Sequence, residues 1–255
     1  MEDYQLPLVI FTSLSQTAAG MAIFVAWRRL RGIYVDQRKA WLTIGILLLL
    51  SLFGATFHLS YPLQGYNALI NLQHAWLSRE IVAAGAFAVA IAAAFLTRGN
   101  KTAVLAAALF GVVLLIVQGM TYAAPAMVAI ANGLPMVFYF LTAWVMGAAC
   151  LPLLDKTSCA PIMRQGILLF LLAMIVAPLV WRSGGVIMQM TALSWGTSLF
   201  FWGSLLCFIA AYLVSFRRDK ATAVTALIAL AAVVLSRLTF FGDTVSTVVN
   251  IGHPY

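Results

Sequence analysis

Long apolar stretches alternate with short polar connections along the whole chain. The stretches cover residues 6–27, 40–59, 80–97, 102–122, 134–154, 166–181, 197–216 and 221–241. A helix rises 1.5 Å per residue, so runs of roughly 20 residues cross about 30 Å of hydrocarbon. The shortest run, 166–181, does so with some extension or local thinning of the bilayer. The pattern predicts an all-α fold, a polytopic bundle of eight transmembrane helices. No low-complexity run or long non-helical linker interrupts it, so residues 1–255 read as a single integral membrane domain. The longest connection, 60–79, carries Gln64, Asn67, Asn71, His74 and Ser78 at three-to-four spacing, with Leu63, Tyr66, Ile70 and Leu77 on another face. That alternation predicts a short amphipathic helix on the membrane surface, with Trp76 at the headgroup level.

Composition agrees. Of 255 residues 64% are apolar and only 9% charged, and the mean hydropathy is +1.01. A disordered chain is excluded, and a soluble globule, in which about a quarter of residues are charged, is nearly so. The net charge of +8 takes its meaning from where the cations fall. Twelve of the fifteen lysines and arginines lie in the connections after spans one, three, five and seven; only Arg79, Arg182 and Arg237 lie near the other face. The positive-inside rule then puts the basic face in the cytoplasm and both termini on the non-cytoplasmic side, with Glu2, Asp3 and Asp243. The cations thus report topology in a lipid bilayer and not a nucleic-acid partner. The chain opens Met-Glu-Asp-Tyr, acidic where a signal peptide is basic, so the first span is expected to be retained.

The residue inventory narrows the chemistry. Cys150, Cys159 and Cys207 lack a CxxC spacing and fall short of the four thiolates of an all-cysteine cluster, so no iron–sulfur cluster is expected in this chain. His58, His74 and His253 all fall at the outer edge, which disfavours a membrane haem held by facing histidines. No P-loop or nucleophile elbow is present. Arg182, Gly184 and Gly185 open an irregular apolar connection as far as Trp195, expected to be a loop.

An ionisable or strongly polar group in hydrocarbon costs several kcal/mol, so its position asks for a reason. His58 ends span two, Glu80 opens span three, Arg182 ends span six, and Arg237 lies about one turn inside the outer end of span eight. His58 and Glu80 share a depth, with Arg182 and Arg237 near it; Gln16 lies within span one. An imidazole and a partly buried carboxylate at the membrane surface can accept the two protons that a quinol releases as its electrons leave. The same two residues also suit plain interfacial caps, because a carboxylate is favoured at a helix N-terminus and a terminal histidine reaches water. Arg237 either snorkels to the interface or meets the polar head of a ligand. Gln16 suits an interhelical hydrogen bond as well as a ligand contact, and Ala84, Ala88 and Ala92 suit close helix packing.

The segment F-H-L-S-Y-P-L-Q-G-Y-N-A-L from Phe57, followed by L-S-R-E-I from Leu77 to Ile81, resembles the membrane anchor subunit of dimethyl sulfoxide reductase and its close paralogues, within the polysulfide-reductase-like quinol-interacting subunits. The resemblance extends to P-L-V-I-F-T with Gln16 and Ala19-Gly20 in span one, and to R-L-T-F-F-G around Arg237. It implies an anchor in a bacterial inner membrane that binds menaquinol in anaerobic respiration. It also implies two partners, an iron–sulfur electron-transfer subunit and a molybdopterin catalytic subunit, with no haem, cluster or molybdopterin in the anchor itself. On this resemblance the family's H-L-x-x-P histidine falls on His58 and its L-S-x-E-I carboxylate on Glu80, as quinol proton acceptors, with Arg237, Gln16 and Arg182 at the quinol head. Two other classes remain compatible with the residues: a small-solute or ion transporter using Arg237 and Gln16 as pathway groups, and a purely structural membrane tether.

Overall fold

The structure, a computed structural model, describes residues 5–33, 36–57, 71–155, 158–216 and 222–247. Among them lie ten helices and no strand: α1 (Leu6–Leu30), α2 (Gln37–Thr56), α3 (Trp76–Leu96), α4 (Lys101–Thr121), α5 (Leu134–Cys150), α6 (Pro152–Asp155), α7 (Ala160–Trp181), α8 (Val186–Thr197), α9 (Leu199–Val214) and α10 (Thr222–Gly242). Seven spans are long and apolar enough to cross a membrane, or eight when the bent pair α8–α9 counts as one. The expected eight-span pattern is met in that second sense.

Helix boundaries follow local chemistry. Pro7, Pro135 and Pro161 stand in the first turns of α1, α5 and α7, where a missing N–H costs nothing. Asp36, Asn100 and Ser198 cap α2, α4 and α9 by accepting from the backbone N–H of Lys39, Thr102 and Phe201. The α3–α4 turn passes through positive φ at both Arg98 and Gly99.

Three boundaries differ from expectation. Helix α3 begins at Trp76, so residues 76–79, expected on the surface, form its first turn. Trp76 and Leu77 extend the apolar run, and Arg79 folds back to donate to the carbonyls of Leu72 and Gln73 while lying 4.3 Å from the Trp76 ring centroid. Residues 60–70 of the expected surface helix lie outside the described residues. Helix α7 starts at Ala160, six residues before the expected span, and gains a full crossing length. Arg164 is accommodated there by lying 4.0 Å from the Phe216 ring.

The third difference is α8, a 12-residue helix where a loop was expected, joined to α9 at a 61° bend. Thr191, Ala192 and Trp195 form its buried face. Val245 N–H donates to Thr191 Oγ1 at 3.3 Å, Trp195 Nε1 to Thr244 Oγ1 at 3.2 Å, and Ser198 Oγ to Asp243. These contacts hold α8 level with the C-terminal end of α10. Helix α9 alone spans only about 24 Å, so it and α8 qualify as a crossing only together, as a bent pair whose α8 half stays beside the end of the bundle.

Helix α1 is the axis of the bundle, packing on α2, α4, α5 and α10. It and α5 approach backbone to backbone: a Cβ on Gly20 would lie 1.9 Å from the Ala143 carbonyl oxygen, and one on Gly147 would lie 2.5 Å from the Gly20 carbonyl carbon. Small residues at this crossing replace side-chain interdigitation with direct backbone contact, as is usual between membrane helices. Since successive crossings alternate in direction, α1, α3 and α5 begin, and α2, α4, α7 and α10 end, at the same end of the bundle, here the upper rim. Arg28, Arg29, Arg31, Arg38, Lys39, Arg98, Lys101 and Arg164 gather at the lower rim.

Candidate functional site

The polar residues of the upper half converge on the α1–α4–α5–α10 junction. Gln16 lies about 15 Å below the start of α1, and Arg237 lies about 7.5 Å inside the end of α10. Thr142 and Tyr139 face inward from α5, Gln118 from the last turn of α4, and Glu80 stands about 6 Å inside the start of α3. Glu80 is therefore not an N-terminal cap but a buried group one turn inside its helix, 2% exposed.

Arg237 is 1% exposed, and its guanidinium is held entirely by neutral groups. Nη2 donates to Gln16 Oε1 at 2.8 Å, to Thr142 Oγ1 at 2.6 Å and to the Phe138 carbonyl at 3.5 Å. The guanidinium carbon lies 4.5 Å from the Tyr139 ring centroid, a cation–π contact in a desolvated site. The chain continues from Gln16 Nε2 to Gln118 Oε1 at 3.4 Å and from Gln118 Nε2 to Ser15 Oγ at 3.0 Å. Gln16, Gln118, Thr142 and Ser15 are all fully buried. Gln16, Gln118, Thr142 and Arg237, each costly alone in hydrocarbon, are here partners of one another, and Arg237 reaches inward to them rather than out to the interface.

Four polar atoms of this region have no hydrogen-bond partner although buried: both carboxyl oxygens of Glu80, the Tyr139 hydroxyl and Nε of Arg237. Thr121 and Gln118 face the Glu80 carboxyl closely enough to interact with it, but neither closes a bond of regular geometry. Tyr139 lies within electrostatic range of both Glu80 and Arg237, and Tyr122 within range of Glu80. Tyr122 packs edge-on against Tyr139 at 5.8 Å and against Phe241 at 5.4 Å. Leaving such atoms unpaired costs roughly 1–3 kcal/mol each, more for a charge. That concentration is the strongest local sign of a place meant to meet something polar. Beside it, Phe138, Met174, Trp195, Ser236, Arg237 and Phe240 line a crevice too narrow to admit a water molecule.

Of the residues expected at the site, the structure brings Glu80, Gln16 and Arg237 into one buried region. Arg182 stands exposed at the C-terminal cap of α7, apart from that region. His58 lies outside the described residues. Sequence reasoning passed over Gln118, Tyr139, Tyr122 and Thr142. Gln118 shows the same signal as Gln16, a lone amide inside an apolar run; the tyrosines near span ends resemble ordinary interfacial aromatics, and only the fold turns them inward.

No curated protein matches the chain. A protein family does, over residues 1–253, which is nearly the whole sequence. Its description as the DMSO reductase anchor subunit agrees with a multi-pass helical bundle. On this match the chain belongs to the DMSO reductase anchor subunit (DmsC) family.

Proposed function

We propose that the chain is the quinol-oxidising anchor of a dimethyl sulfoxide reductase-type complex in a bacterial inner membrane, serving anaerobic respiration. The observation that carries this reading is Glu80: a carboxyl group buried in a helical bundle, one turn below a rim, with both oxygens unpartnered. A carboxyl so placed accepts a proton when a donor comes to it through the lipid phase. The donor class is menaquinol, which dissolves in the bilayer and presents two hydroxyl groups.

In this reading the upper rim is the non-cytoplasmic one, because the described cations gather at the lower rim. Both termini then lie outside. Each quinol loses two protons and two electrons: its two O–H bonds break, the protons pass to Glu80 and His58, and quinone leaves. The electrons pass to an iron–sulfur cluster of a partner electron-transfer subunit docked at the same rim, and from there to a molybdopterin catalytic subunit. Arg237 and Gln16 stabilise the quinol head, and Arg182 stands at the rim by which it arrives. A transporter would set its broken helices at the bilayer midplane, whereas the α8–α9 break is tied to the end of α10.

The experiment is Glu80→Gln in the assembled complex, which keeps the side chain's shape and removes its proton affinity. Quinol-driven turnover is expected to fall at least a hundredfold, while turnover driven by a reduced viologen, which feeds the soluble subunits directly, stays at the wild-type level. Wild-type turnover with quinol would refute the assignment.

A further inference from the structure

Arg237, Gln16 and Gln118 form a chain whose direction is fixed from one end. A guanidinium only donates, so the Gln16 atom 2.8 Å from Arg237 Nη2 is the amide oxygen. The Gln16 nitrogen is thereby turned to Gln118, and the atom it meets at 3.4 Å is the Gln118 oxygen. The Gln118 nitrogen then gives one of its two hydrogens to Ser15 Oγ at 3.0 Å. None of these bonds uses the second. Turning the Gln118 amide over would set its nitrogen against the Gln16 nitrogen and lose their bond. The cation on α10 thus decides, through two amides, which end of Gln118 is left for a further partner.

That partner is at hand across the α3–α4 contact, where the Glu80 carboxyl faces Thr121 and Gln118 and neither of its oxygens has a closed hydrogen bond. The Thr121 hydroxyl has a single hydrogen and gives it to the Val117 carbonyl at 2.9 Å. Of the two, only Gln118 brings a hydrogen to the carboxyl. An ionised carboxylate accepts only, and leaving it buried without a donor is costly. The Gln118 amide as it stands offers Glu80 an N–H; reversed, it would set oxygen against oxygen.

Resting on the assignment of Glu80 as a quinol proton acceptor, we propose that Gln118 is a positioning residue: its amide N–H, aimed by Arg237 through Gln16, holds the Glu80 carboxylate in the orientation that takes the quinol proton. That proton comes from a quinol O–H bond that breaks, the electron leaves to the iron–sulfur cluster of the partner electron-transfer subunit, and Gln118 keeps both amide hydrogens. In this role Gln118 touches no quinol atom, so its loss acts on proton transfer and not on quinol binding.

Gln118→Leu in the assembled complex tests this. With a short-chain naphthoquinol as donor, kcat is expected to fall about tenfold, for one lost hydrogen bond to a charged group, and KM to change by less than about twofold. Complex yield and viologen-driven turnover are expected to stay at wild-type levels. A second readout is the redox-induced infrared difference spectrum, in which the Glu80 carboxyl band is the one that Glu80→Gln removes. A carboxyl that loses a donor absorbs at higher wavenumber, so the band is expected to move up in Gln118→Leu. Should leucine lower the yield, Gln118→Met keeps the length without the amide and is expected to give the same result. Wild-type kcat, or a change confined to KM, overturns the proposal. So does an unmoved band beside a lowered kcat, or loss of yield in both variants, either of which makes Gln118 a packing residue. Glu80→Gln run alongside separates the two levels: inactive Glu80→Gln with fully active Gln118→Leu removes only the role of Gln118, whereas active Glu80→Gln removes the quinol reading and this proposal with it.

Discussion

The Arg237 network makes a quantitative claim that can be tested without any substrate. Gln16→Leu keeps the volume of a fully buried side chain and deletes the acceptor that Arg237 Nη2 reaches at 2.8 Å. A hydrogen bond to a charged group contributes roughly 1.5–3 kcal/mol, and the longer bond to Gln118 adds about 0.5 kcal/mol. The substitution should therefore destabilise the protein by about 2–3 kcal/mol, because it leaves a buried cation with only Thr142, the Phe138 carbonyl and the Tyr139 ring. In an Arg237→Met background there is no cation to strand, and the same Gln16→Leu change should cost under about 1 kcal/mol. The difference is a coupling energy of about 2 kcal/mol, or roughly thirtyfold in the folding equilibrium constant. The assay is a four-protein cycle, each unfolded reversibly by SDS in mixed micelles and followed by circular dichroism. A coupling within about 0.5 kcal/mol of zero would refute the network as the support of Arg237.

Two further outcomes follow from the fold. Gly20→Ala places a Cβ 1.9 Å from a backbone oxygen of α5 that no rotamer change can move. It should cost about 2–3 kcal/mol and lower the thermal midpoint in detergent, whereas Gly85→Ala, with open space around the new Cβ, should be neutral or stabilising. At the α8–α10 contact, burial raises the Asp243 carboxyl above its ordinary value of 3.8, although the Ser198 hydroxyl opposes the shift by donating to it. An acid raised on folding favours the folded state below its unfolded value and loses that contribution as pH climbs through its folded value. Asp243→Asn keeps an acceptor for Ser198 and should be slightly more heat-stable than the wild type at pH 7–8, by a fraction of a kcal/mol in this half-exposed site. That gain should vanish near pH 3, and a variant less stable than wild type at neutral pH would contradict the sign.

The crossings were legible in the sequence because a bilayer allows few solutions: backbone groups must pair within each segment, so length and apolarity nearly suffice. The same rule misjudged α8, since a twelve-residue, largely apolar segment that follows two glycines suits a loop and a short helix equally, and only the contacts of Thr191, Trp195 and Ser198 with residues 243–245 decide it. Glu80 was read as a helix start, because Trp76 and Leu77 read as surface residues while they belong to the first turn of α3. Gln16 and Arg237 stood out as costly groups, yet a single sequence holds no sign that residues 221 positions apart hydrogen-bond to each other. Gln118 and Tyr139 are ordinary by type and become notable only when the fold buries them beside a charge.

The most direct test of a quinol site at the upper rim is photolabelling of the assembled complex in membranes with an azido-naphthoquinone, followed by peptide mapping. Label competed away by unmodified quinone should appear on residues around Glu80 in α3, Gln118 to Tyr122 in α4, Phe138 to Thr142 in α5 and Arg237 in α10. Label confined to the lower rim, around Arg28, Arg98 or Arg164, would contradict the account.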